Sequence, residues 1–414
     1  MRSIVPSAAV LRQKYALVSA LRAQGLAIGS SEDVRPGGQD MFLIADGEVP
    51  PAPARTLILG EGEREAIPFR DGNPARLTYA GEDAAIGNGF ASAMARGPFE
   101  PVASDPESLA LLALAERVAA SDITVLINGP TGTGKEVLAR AIHNGSARRD
   151  GPFVAVNCAA LPESMLEAML FGHQKGAFTG ASAGGQGFFR AANGGTLLLD
   201  EIAEMPIQLQ AKLLRALQER EVVPIGGTLP EKIDVRVIAC ANRDLQGEVL
   251  AGRFRADLYY RLAVFPLATK PLAERPGDIA ALAAAMVLRH AGERRTLPWV
   301  TRDALEILTD HDWPGNVREL ENVLQRALLL APGDEITPEH LIFDRRAETR
   351  VEAIGTLSNI VQIHEFQAIR EVLAECNGSR IETARRLGIS ERTLRYRLAK
   401  AREQGDDITR AAFA

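Results

Sequence analysis

The stretch "LINGPTGTGKE", residues 126–136, sets a glycine-rich turn between an apolar run and a helical one, and this pattern predicts the fold of the chain. Glycines let backbone N–H groups wrap a phosphate chain, and the N-terminus of the following helix adds its partial positive charge. A lysine at the end of the turn can reach the terminal phosphates. We therefore predict a P-loop with these nucleotide-binding residues: Gly129, Thr131, Gly132, Thr133, Gly134, Lys135 and Glu136.

An acidic pair ends the motif "GGTLLLDE", residues 194–201. An acid at the end of a strand can orient Mg²⁺, and its neighbour can activate a water that attacks the γ-phosphate. We predict that Asp200 holds Mg²⁺ and that Glu201 is catalytic. Because no NKxD-type guanine reader follows, the predicted substrate is ATP rather than GTP.

Apolar runs that are typical of buried strands alternate with helical patterns from residue 123 onward. The runs that predict parallel strands lie at 123–129, 153–159, 195–201 and 234–243. Such alternation predicts a doubly wound α/β sheet around the P-loop. We expect no strands after Pro266 and a helical lid from about residue 267, with helical patterns at 278–291, 302–311 and 317–331.

Composition limits the class of protein. A chain of 414 residues allows about two or three domains. Its formal charge of −6 argues against a uniformly basic surface, so any DNA contact must come from a local patch. Three widely spaced cysteines suit a reducing compartment, and there is neither a leader nor an apolar run long enough for a membrane span. We expect a cytoplasmic protein without a membrane partner.

The C-terminal segment at 377–402 reads as a helix-turn-helix. It carries eight basic and two acidic residues, a net charge of +6, which predicts a local DNA contact surface. The apolar positions that would pack its two helices are Ala384, Leu387, Ile389, Leu394 and Leu398. The start of a second helix in such a motif usually reaches the major groove. The predicted DNA-binding residues there are Glu391, Arg392, Thr393, Arg395 and Tyr396.

Six motifs occur in an order that resembles the bacterial enhancer-binding proteins, the AAA+ activators of sigma-54 RNA polymerase. They are "GPTGTGKE", "VNCAAL", "FGHQKGAFTGA", "GGTLLLDE", "FRADLYYRL" and "WPGNVREL". The resemblance covers about residues 104–345, and the C-terminal segment is similar to the Fis-type domain that ends many of these activators. The expected fold is an AAA+ P-loop domain with a helical lid, a Fis-type helix-turn-helix and a small N-terminal α/β region.

For hydrolysis, the resemblance implies roles beyond the P-loop and the acidic pair. Asn157 of "VNCAAL" would restrain Glu201 until activation, and Asn242 would sense the γ-phosphate. A glutamate after the P-loop lysine is usual in the family, so Glu136 is compatible with an active site.

The resemblance also implies a site shared between subunits. Arg255 and Arg261 would reach into the neighbouring subunit's site, and Arg318 would sense nucleotide from the lid. A monomer should then be inactive, and we expect oligomers from dimers to hexameric or heptameric rings.

The "GAFTGA" hexapeptide implies contact with sigma-54 through Gly176, Ala177, Phe178, Thr179, Gly180 and Ala181. Fully burying a phenylalanine contributes about 1.5 to 3 kcal/mol, so a solvent-facing ring leaves a contact to be made with a partner. Hydrolysis would move this loop and remodel the closed promoter complex.

Some positions depart from the family's pattern, namely Met169, Phe188, Phe189, Arg190 and Ala273. They lie beside the sigma-contacting loop and its connection to the nucleotide. Two functions therefore stay open. One is a DNA-bound ATPase that activates sigma-54 promoters, and the alternative is a regulatory subunit of a hetero-oligomer, with little ATPase activity of its own.

Residues 1–100 lack the chemistry of a phosphorylated receiver domain. A helical pattern at 8–26 precedes an apolar strand that ends at Asp46, and no acidic pair or later strand-end lysine accompanies that aspartate. We expect no phosphorylation there, although a reduced receiver-like fold is compatible with the pattern. This degenerate region resembles that of flagellar-gene regulators in the family, with a protein partner as its controlling signal.

The predicted organisation has four parts. They are the degenerate regulatory region at 1–100, the AAA+ domain at 104–345, a linker at 346–359 and the helix-turn-helix domain at 360–414.

Overall fold

The computed structural model describes residues 3–29, 40–97, 100–178 and 183–343, together with 372, 376, 379–386 and 394. The chain divides into two units, Met1–Phe343 and Asp344–Ala414. The linker predicted at 346–359 lies outside the described residues.

Six strands form the N-terminal sheet: β1 (Ser3–Pro6), β2 (Ala27–Ile28), β3 (Met41–Ala45), β4 (Thr56–Gly60), β5 (Glu65–Ile67) and β6 (Ala75–Thr78). Their order is β2-β1-β3-β4-β6-β5, and every pair is parallel except β5 with β6. Apart from the antiparallel edge strand, this is the flavodoxin-like order. The accompanying helices are α1 (Ala8–Gln13), α2 (Tyr15–Ala23) and α3 (Ala84–Arg96).

Asp46, the aspartate at the end of the predicted apolar strand, directly follows β3 and forms an ion pair with Arg76. Its Oδ1 atom accepts hydrogen bonds from Arg76 Nη1 on β6, at 2.9 Å, and from the Gly47 amide, at 3.1 Å. An arginine thus neutralises the carboxylate, and the expectation of no phosphorylation at Asp46 stays a prediction.

A second sheet carries the P-loop. Its strands are β7 (Val125–Asn128), β8 (Phe153–Asn157), β9 (Thr196–Asp200), β12 (Arg236–Ala241) and β13 (Phe265–Ala268), with the short hairpin β10 (Glu221–Val222) and β11 (Glu231–Lys232) outside it. The order is β13-β7-β12-β9-β8 and all pairs are parallel. This confirms the doubly wound sheet and its four predicted strands.

Helices cover this sheet: α4 (Pro106–Ala119), α5 (Lys135–Asn144), α6 (Glu163–Phe171), α7 (Phe188–Ala191), α8 (Ile207–Glu219), α9 (Leu245–Leu250) and α10 (Ala256–Leu262). Helix α4 begins with Pro106 in its first turn, and Asp105 is the N-cap that accepts from the Glu107 amide at 3.1 Å.

The lid consists of α11 (Ile279–His290), α12 (Arg302–Asp310) and α13 (Asn316–Leu330), with the two-residue strands β14 (Trp299–Val300) and β15 (Glu335–Ile336). The three predicted helices are confirmed. The expectation of no strands after Pro266 is wrong, because β13 continues to Ala268 and β14 pairs with β15. A proline-containing edge strand has a weak sequence pattern, since an edge position tolerates the missing N–H.

The N-terminal region and the lid share one hydrophobic core. Helix α3 packs on α11 so closely that a Cβ atom on Gly89 would lie 2.9 Å from Ala284 Cβ and 3.0 Å from Ala280 O. Trp299 of the lid lies between Tyr79 and Phe90 of the N-terminal region, with ring centroids 6.2 and 5.4 Å away. The N-terminal region is therefore attached to the lid along a packed helix pair.

The described part of the C-terminal unit includes one helix, α14 (Arg380–Arg386). Ala384 and Leu394 are buried, as expected for residues that pack two helices together. Among the described residues, no helix is both long and apolar enough to cross a membrane.

Candidate functional site

The P-loop has a backbone that only glycine adopts easily. Gly129, Gly132 and Gly134 have φ angles of +149°, +79° and +97°. A Cβ atom on Gly129 would lie 2.1 Å from Thr269 Oγ1, and one on Gly132 would lie 2.5 Å from the carbonyl oxygen of Gly315. Conformation and lack of space therefore both require glycine at 129 and 132, and conformation alone favours it at 134.

Lys135 begins α5 and is buried. Its Nζ atom donates to the carbonyl oxygens of Gly129 and Pro130, both at 2.8 Å. Burial lowers the pKa of Lys135, while the nearby carboxylates of Asp200 and Glu201 oppose the shift. The ammonium group is thus held inside the loop, where phosphate oxygens could replace the carbonyls as acceptors.

The acidic pair lies at the carboxyl end of β9. Burial raises the pKa of Asp200, and a hydrogen bond of 3.0 Å from the Glu201 amide to Asp200 Oδ1 opposes this. Glu201 has φ of +53° and ψ of +44°, a left-handed conformation that costs a non-glycine residue about 1 to 3 kcal/mol. Such strain is typical of functional positions, because the surrounding fold must maintain it.

A cavity of about 320 Å³ connects these elements. Lys135, Glu136, Asp200, Glu201 and Arg318 all line it. So do the P-loop residues Thr131, Gly132, Thr133 and Gly134. The structure thus brings most of the predicted nucleotide-site residues together.

Sequence reasoning missed a further set of residues that line the cavity. The segment 100–103, which joins α3 to α4, lines the cavity together with Leu282, Ala285 and Met286 of α11. Val102 is buried against Ala93 of α3 and against Ala281 and Ala285 of α11, and Ala103 is buried as well. Three apolar residues, 101–103, shortly before a helix form no recognisable motif, so their role follows from the fold alone.

Asn157 ends β8 directly beside Asp200 on β9. Its Oδ1 atom accepts from the Ala159 amide at 2.8 Å, and among the described residues it forms no hydrogen bond with Glu201. Its restraining role stays a prediction. Asn242 follows β12, and its Oδ1 atom is buried without a hydrogen-bond partner among the described residues. A buried unpaired acceptor is costly, which is consistent with a partner that binds during function.

Arg255 and Arg261 do not line the cavity of their own chain. Arg255 forms an exposed ion pair with Asp257 at 2.8 Å, and Arg261 Nη2 donates to Leu217 O at 2.9 Å. This placement is compatible with the predicted role in a neighbouring subunit, which stays a prediction.

The loop that follows α6 presents Phe178 to solvent. Its ring is 46% exposed and rests on the His173 ring, with the ring centroids 5.0 Å apart. At the base of the loop, His173 and Gly185 form two backbone hydrogen bonds, and the Gln174 amide donates to Ile225 O at 2.9 Å. Thr179, Gly180 and Ala181 lie outside the described residues.

Arg190, one of the departures from the family's pattern, lies at the base of the same loop. Its guanidinium contacts the Glu231 carboxylate at 2.9 and 3.0 Å and donates to Gly185 O at 2.8 Å. It therefore ties the returning end of the loop to β11. In the sequence, only its difference from the family's pattern singles out Arg190.

For the C-terminal unit, the predicted DNA-binding residues Glu391, Arg392, Thr393, Arg395 and Tyr396 lie outside the described residues.

Three family models match the chain in succession. The Sigma-54 interaction domain matches residues 102–268 and the AAA+ ATPase lid domain matches 273–354. A model described as bacterial regulatory protein, Fis family, matches 362–400. These matches correspond to the P-loop sheet, the lid and the helix-turn-helix.

Curated relatives extend over most of the chain. The response regulator protein FleR of Pseudomonas aeruginosa is 50% identical over 344 residues, which is 76% of this chain and 72% of that protein. The transcriptional regulatory protein FlbD of Caulobacter vibrioides is 44% identical over 74% of this chain and 71% of its own. The sigma54-dependent transcriptional activator SfnR of Pseudomonas putida is 44% identical over 72% of this chain and 87% of its own.

A crystal structure of NtrX from Brucella abortus has the same fold, with a TM-score of 0.56 at 24% identity over 97% of this chain and 99% of that one. With the P-loop, the acidic pair and the exposed phenylalanine loop in their expected elements, the chain belongs to the family of sigma-54-dependent transcriptional activators with an AAA+ ATPase domain.

Proposed function

We propose that this activator works as an oligomeric ATPase that binds upstream DNA and uses ATP hydrolysis to remodel the closed complex of sigma-54 RNA polymerase. One observation carries the proposal: Lys135, Asp200 and Glu201 line a single cavity, while Phe178 stands exposed on a separate loop. The first arrangement fits nucleotide hydrolysis and the second fits contact with a partner.

The donor set of the cavity fits Mg²⁺ carried by a nucleotide. Mg²⁺ is usually held by one or two carboxylates together with substrate phosphates and waters. Asp200 supplies such a carboxylate beside Glu201, and the described residues contain no cluster of three or more metal-binding side chains. Asp200 would hold the ion, which neutralises charge that develops on the phosphates.

Glu201 is the proposed base that activates the attacking water, and Asn157 its restraint. The unpaired Oδ1 atom of Asn242 supports a role for this side chain close to the nucleotide. Thr131, Gly132, Thr133, Gly134, Lys135 and Glu136 form the proposed phosphate cradle that follows Gly129, with Arg318 acting from the lid.

Assembly is part of the proposal, because Arg255 and Arg261 are exposed and lie away from their own cavity. An arginine supplied by a neighbour can be worth about 10³ to 10⁵ in rate. We infer that homo-oligomers complete the site.

The proposed sigma-54 contact is the hexapeptide Gly176, Ala177, Phe178, Thr179, Gly180 and Ala181. Exposure of the Phe178 ring and the left-handed φ of +81° at Gly176 support it. The proposed DNA contact is Glu391, Arg392, Thr393, Arg395 and Tyr396. Replacing Arg392 by alanine should weaken operator binding by about 1 to 3 kcal/mol in gel retardation.

We further propose flagellar genes as targets, a cytoplasmic location and a protein partner on the N-terminal region. The attachment of α3 to α11, whose residues line the nucleotide cavity, supports that region as a control input. Expression of flagellar genes after deletion of the chain's gene tests the target class, and unchanged expression would exclude it.

ATP hydrolysis by the purified chain over a range of protein concentrations tests the proposed function. Lys135→Ala and Glu201→Gln should abolish turnover, and specific activity should rise with concentration. No turnover by the wild-type chain at any concentration, with or without DNA, would instead support a regulatory subunit of a hetero-oligomer.

A further inference from the structure

Three consecutive carbonyls of the P-loop accept hydrogen bonds from the lid and from the segment that leads into it. Asn316 Nδ2 donates to Thr131 O at 3.0 Å, the Arg318 amide donates to Gly132 O at 3.3 Å, and Arg275 Nη2 donates to Thr133 O at 2.8 Å. We propose that Asn316 and Arg275 are positioning residues that orient the P-loop for phosphate binding, an inference that rests on the proposed ATPase function.

The geometry of a trans peptide gives the reason. In each peptide unit the C=O and the following N–H point in opposite directions, and no cis peptide occurs among the described residues. Holding the carbonyls of Thr131, Gly132 and Thr133 on these donors therefore turns the next three amides away from the donors, and the residues that carry these amides line the nucleotide cavity. Those amides belong to Gly132, Thr133 and Gly134.

These three amides are available for a ligand. Across residues 100–178 and 183–343, no backbone or side-chain oxygen accepts from the N–H of Gly132, Thr133 or Gly134. Unpaired amides at the start of a helix are the donors that bind phosphate oxygens. The lid thus fixes the face of the loop that a nucleotide would meet.

Burial and hydrogen bonds fix the position of the Asn316 side chain. It is 4% exposed, has φ of +53°, and its Oδ1 atom accepts from the Leu272 amide at 2.8 Å. Asparagine tolerates this left-handed conformation better than most residues. Both ends of its amide are therefore engaged, one by the segment that leads into the lid and the other by the P-loop.

Arg275 is held in the same way. Its Nη1 atom pairs at 3.3 Å with Asp278, a fully buried carboxylate that also accepts from the amides of Ser104 and Asp105 at 2.7 and 2.8 Å. The ion pair with this fixed carboxylate therefore orients the Arg275 guanidinium for its hydrogen bond to Thr133 O. Movement of the lid would release all three carbonyls together.

Asn316→Asp tests the proposal, because it keeps the size of the side chain and the acceptor for Leu272 but removes the donor to Thr131. Arg275→Lys keeps the charge beside Asp278 with a single ammonium in place of the fork. Thr301→Ala is the control, since it removes the N-cap of α12 in the lid, an oxygen that accepts from the Ala304 amide, without touching the P-loop.

Two measurements apply to each variant: amide hydrogen exchange of residues 131–135 in the nucleotide-free protein, and the dissociation constant for ADP. We expect faster exchange and about tenfold weaker ADP binding in Asn316→Asp and in Arg275→Lys. Thr301→Ala should lower the unfolding temperature yet leave both readouts unchanged.

Unchanged exchange and ADP binding within about twofold of wild type in both site variants would overturn the proposal. Equal loosening of the P-loop by Thr301→Ala would also overturn it, because general loss of lid stability would then suffice. If Asn316→Asp does not fold, Arg275→Lys decides by the same readouts. A wild-type chain that fails to bind ADP would contradict the proposed ATPase function, whereas the exchange experiment would still test the lid contacts.

Discussion

Arg190 Nη1 contacts both carboxylate oxygens of Glu231, at 2.9 and 3.0 Å, and forms an ion pair between α7 and β11. The same guanidinium donates to Gly185 O at the base of the loop that carries Phe178. An exposed ion pair alone is worth about 0 to 1 kcal/mol, but here the same guanidinium also holds a backbone carbonyl and so fixes the position of the loop base. Through Arg190, the β10–β11 hairpin therefore holds the base of the loop in place.

Reversing the charge at this base should loosen the loop and leave hydrolysis intact. We expect Arg190→Glu to speed limited proteolysis within residues 172–187, with ATPase activity within about twofold of wild type, because the residue does not line the nucleotide cavity. The double variant Arg190→Glu with Glu231→Arg should partly restore protection. Identical cleavage in all three proteins would refute the role of the ion pair.

A larger side chain at Gly89 should separate α3 from α11. Overpacking typically costs about 1 to 3 kcal/mol, and a Cβ atom there already lies 2.9 Å from Ala284 Cβ. We expect Gly89→Leu to lower the unfolding temperature and weaken ATP binding, because residues of α11 line the cavity. Calorimetry and equilibrium binding measure the two effects. Gly81→Ala is a matched control, since nothing lies within 4 Å of its added Cβ atom. ATP binding that stays at the wild-type level in a destabilised Gly89→Leu protein would refute the coupling.

Neutralising Asp200 should slow ATP hydrolysis without lowering the stability of the fold. Burial raises the pKa of this carboxyl in the folded chain, so the folded state binds a proton more readily than the unfolded state, and stability falls as pH rises through that window. At pH 7 the ionised carboxylate is therefore a net cost, which Asp200→Asn removes. We expect an unfolding temperature of the nucleotide-free protein that is unchanged or up to about 3 °C higher, and hydrolysis at least about a hundredfold slower. A clearly lower unfolding temperature would show that the charge stabilises the fold.

Mixing two inactive variants tests whether the site is shared. Arg255→Ala leaves the P-loop intact and Lys135→Ala leaves the arginine intact, so a mixed oligomer contains some complete sites. At equal amounts with random assembly we expect about one quarter of wild-type turnover, while each variant alone stays near zero. Turnover of Arg255→Ala alone at the wild-type rate would remove this residue from the site.

Much of the P-loop sheet could be predicted from the sequence, because its signals are local. Four strands are continuous apolar runs, and three glycines before Lys135 leave few alternatives. The edge strand β13 escaped prediction because Pro266 and short length weaken its pattern. Its place is set by pairing with β7, which is not a local property.

The sequence did not predict contacts between segments that lie far apart along the chain. Nothing in the residues around Gly89 indicates that they pack on a helix that begins at Ile279. The same holds for Asn316, whose amide reaches both Leu272 and Thr131. Sequence predicts which residues carry chemistry, whereas the lid contacts that position them depend on how the chain closes in three dimensions.

Open-complex formation at a sigma-54 promoter tests whether the Phe178 loop couples ATP hydrolysis to promoter opening. The wild-type chain should open promoter DNA with sigma-54 RNA polymerase and ATP, and Phe178→Ala should hydrolyse ATP yet open none. Val49→Ala, which trims an exposed apolar side chain in the N-terminal region, should behave as wild type. Promoter opening by Phe178→Ala at the wild-type rate would contradict the account, since the exposed ring could not then transmit hydrolysis to the polymerase.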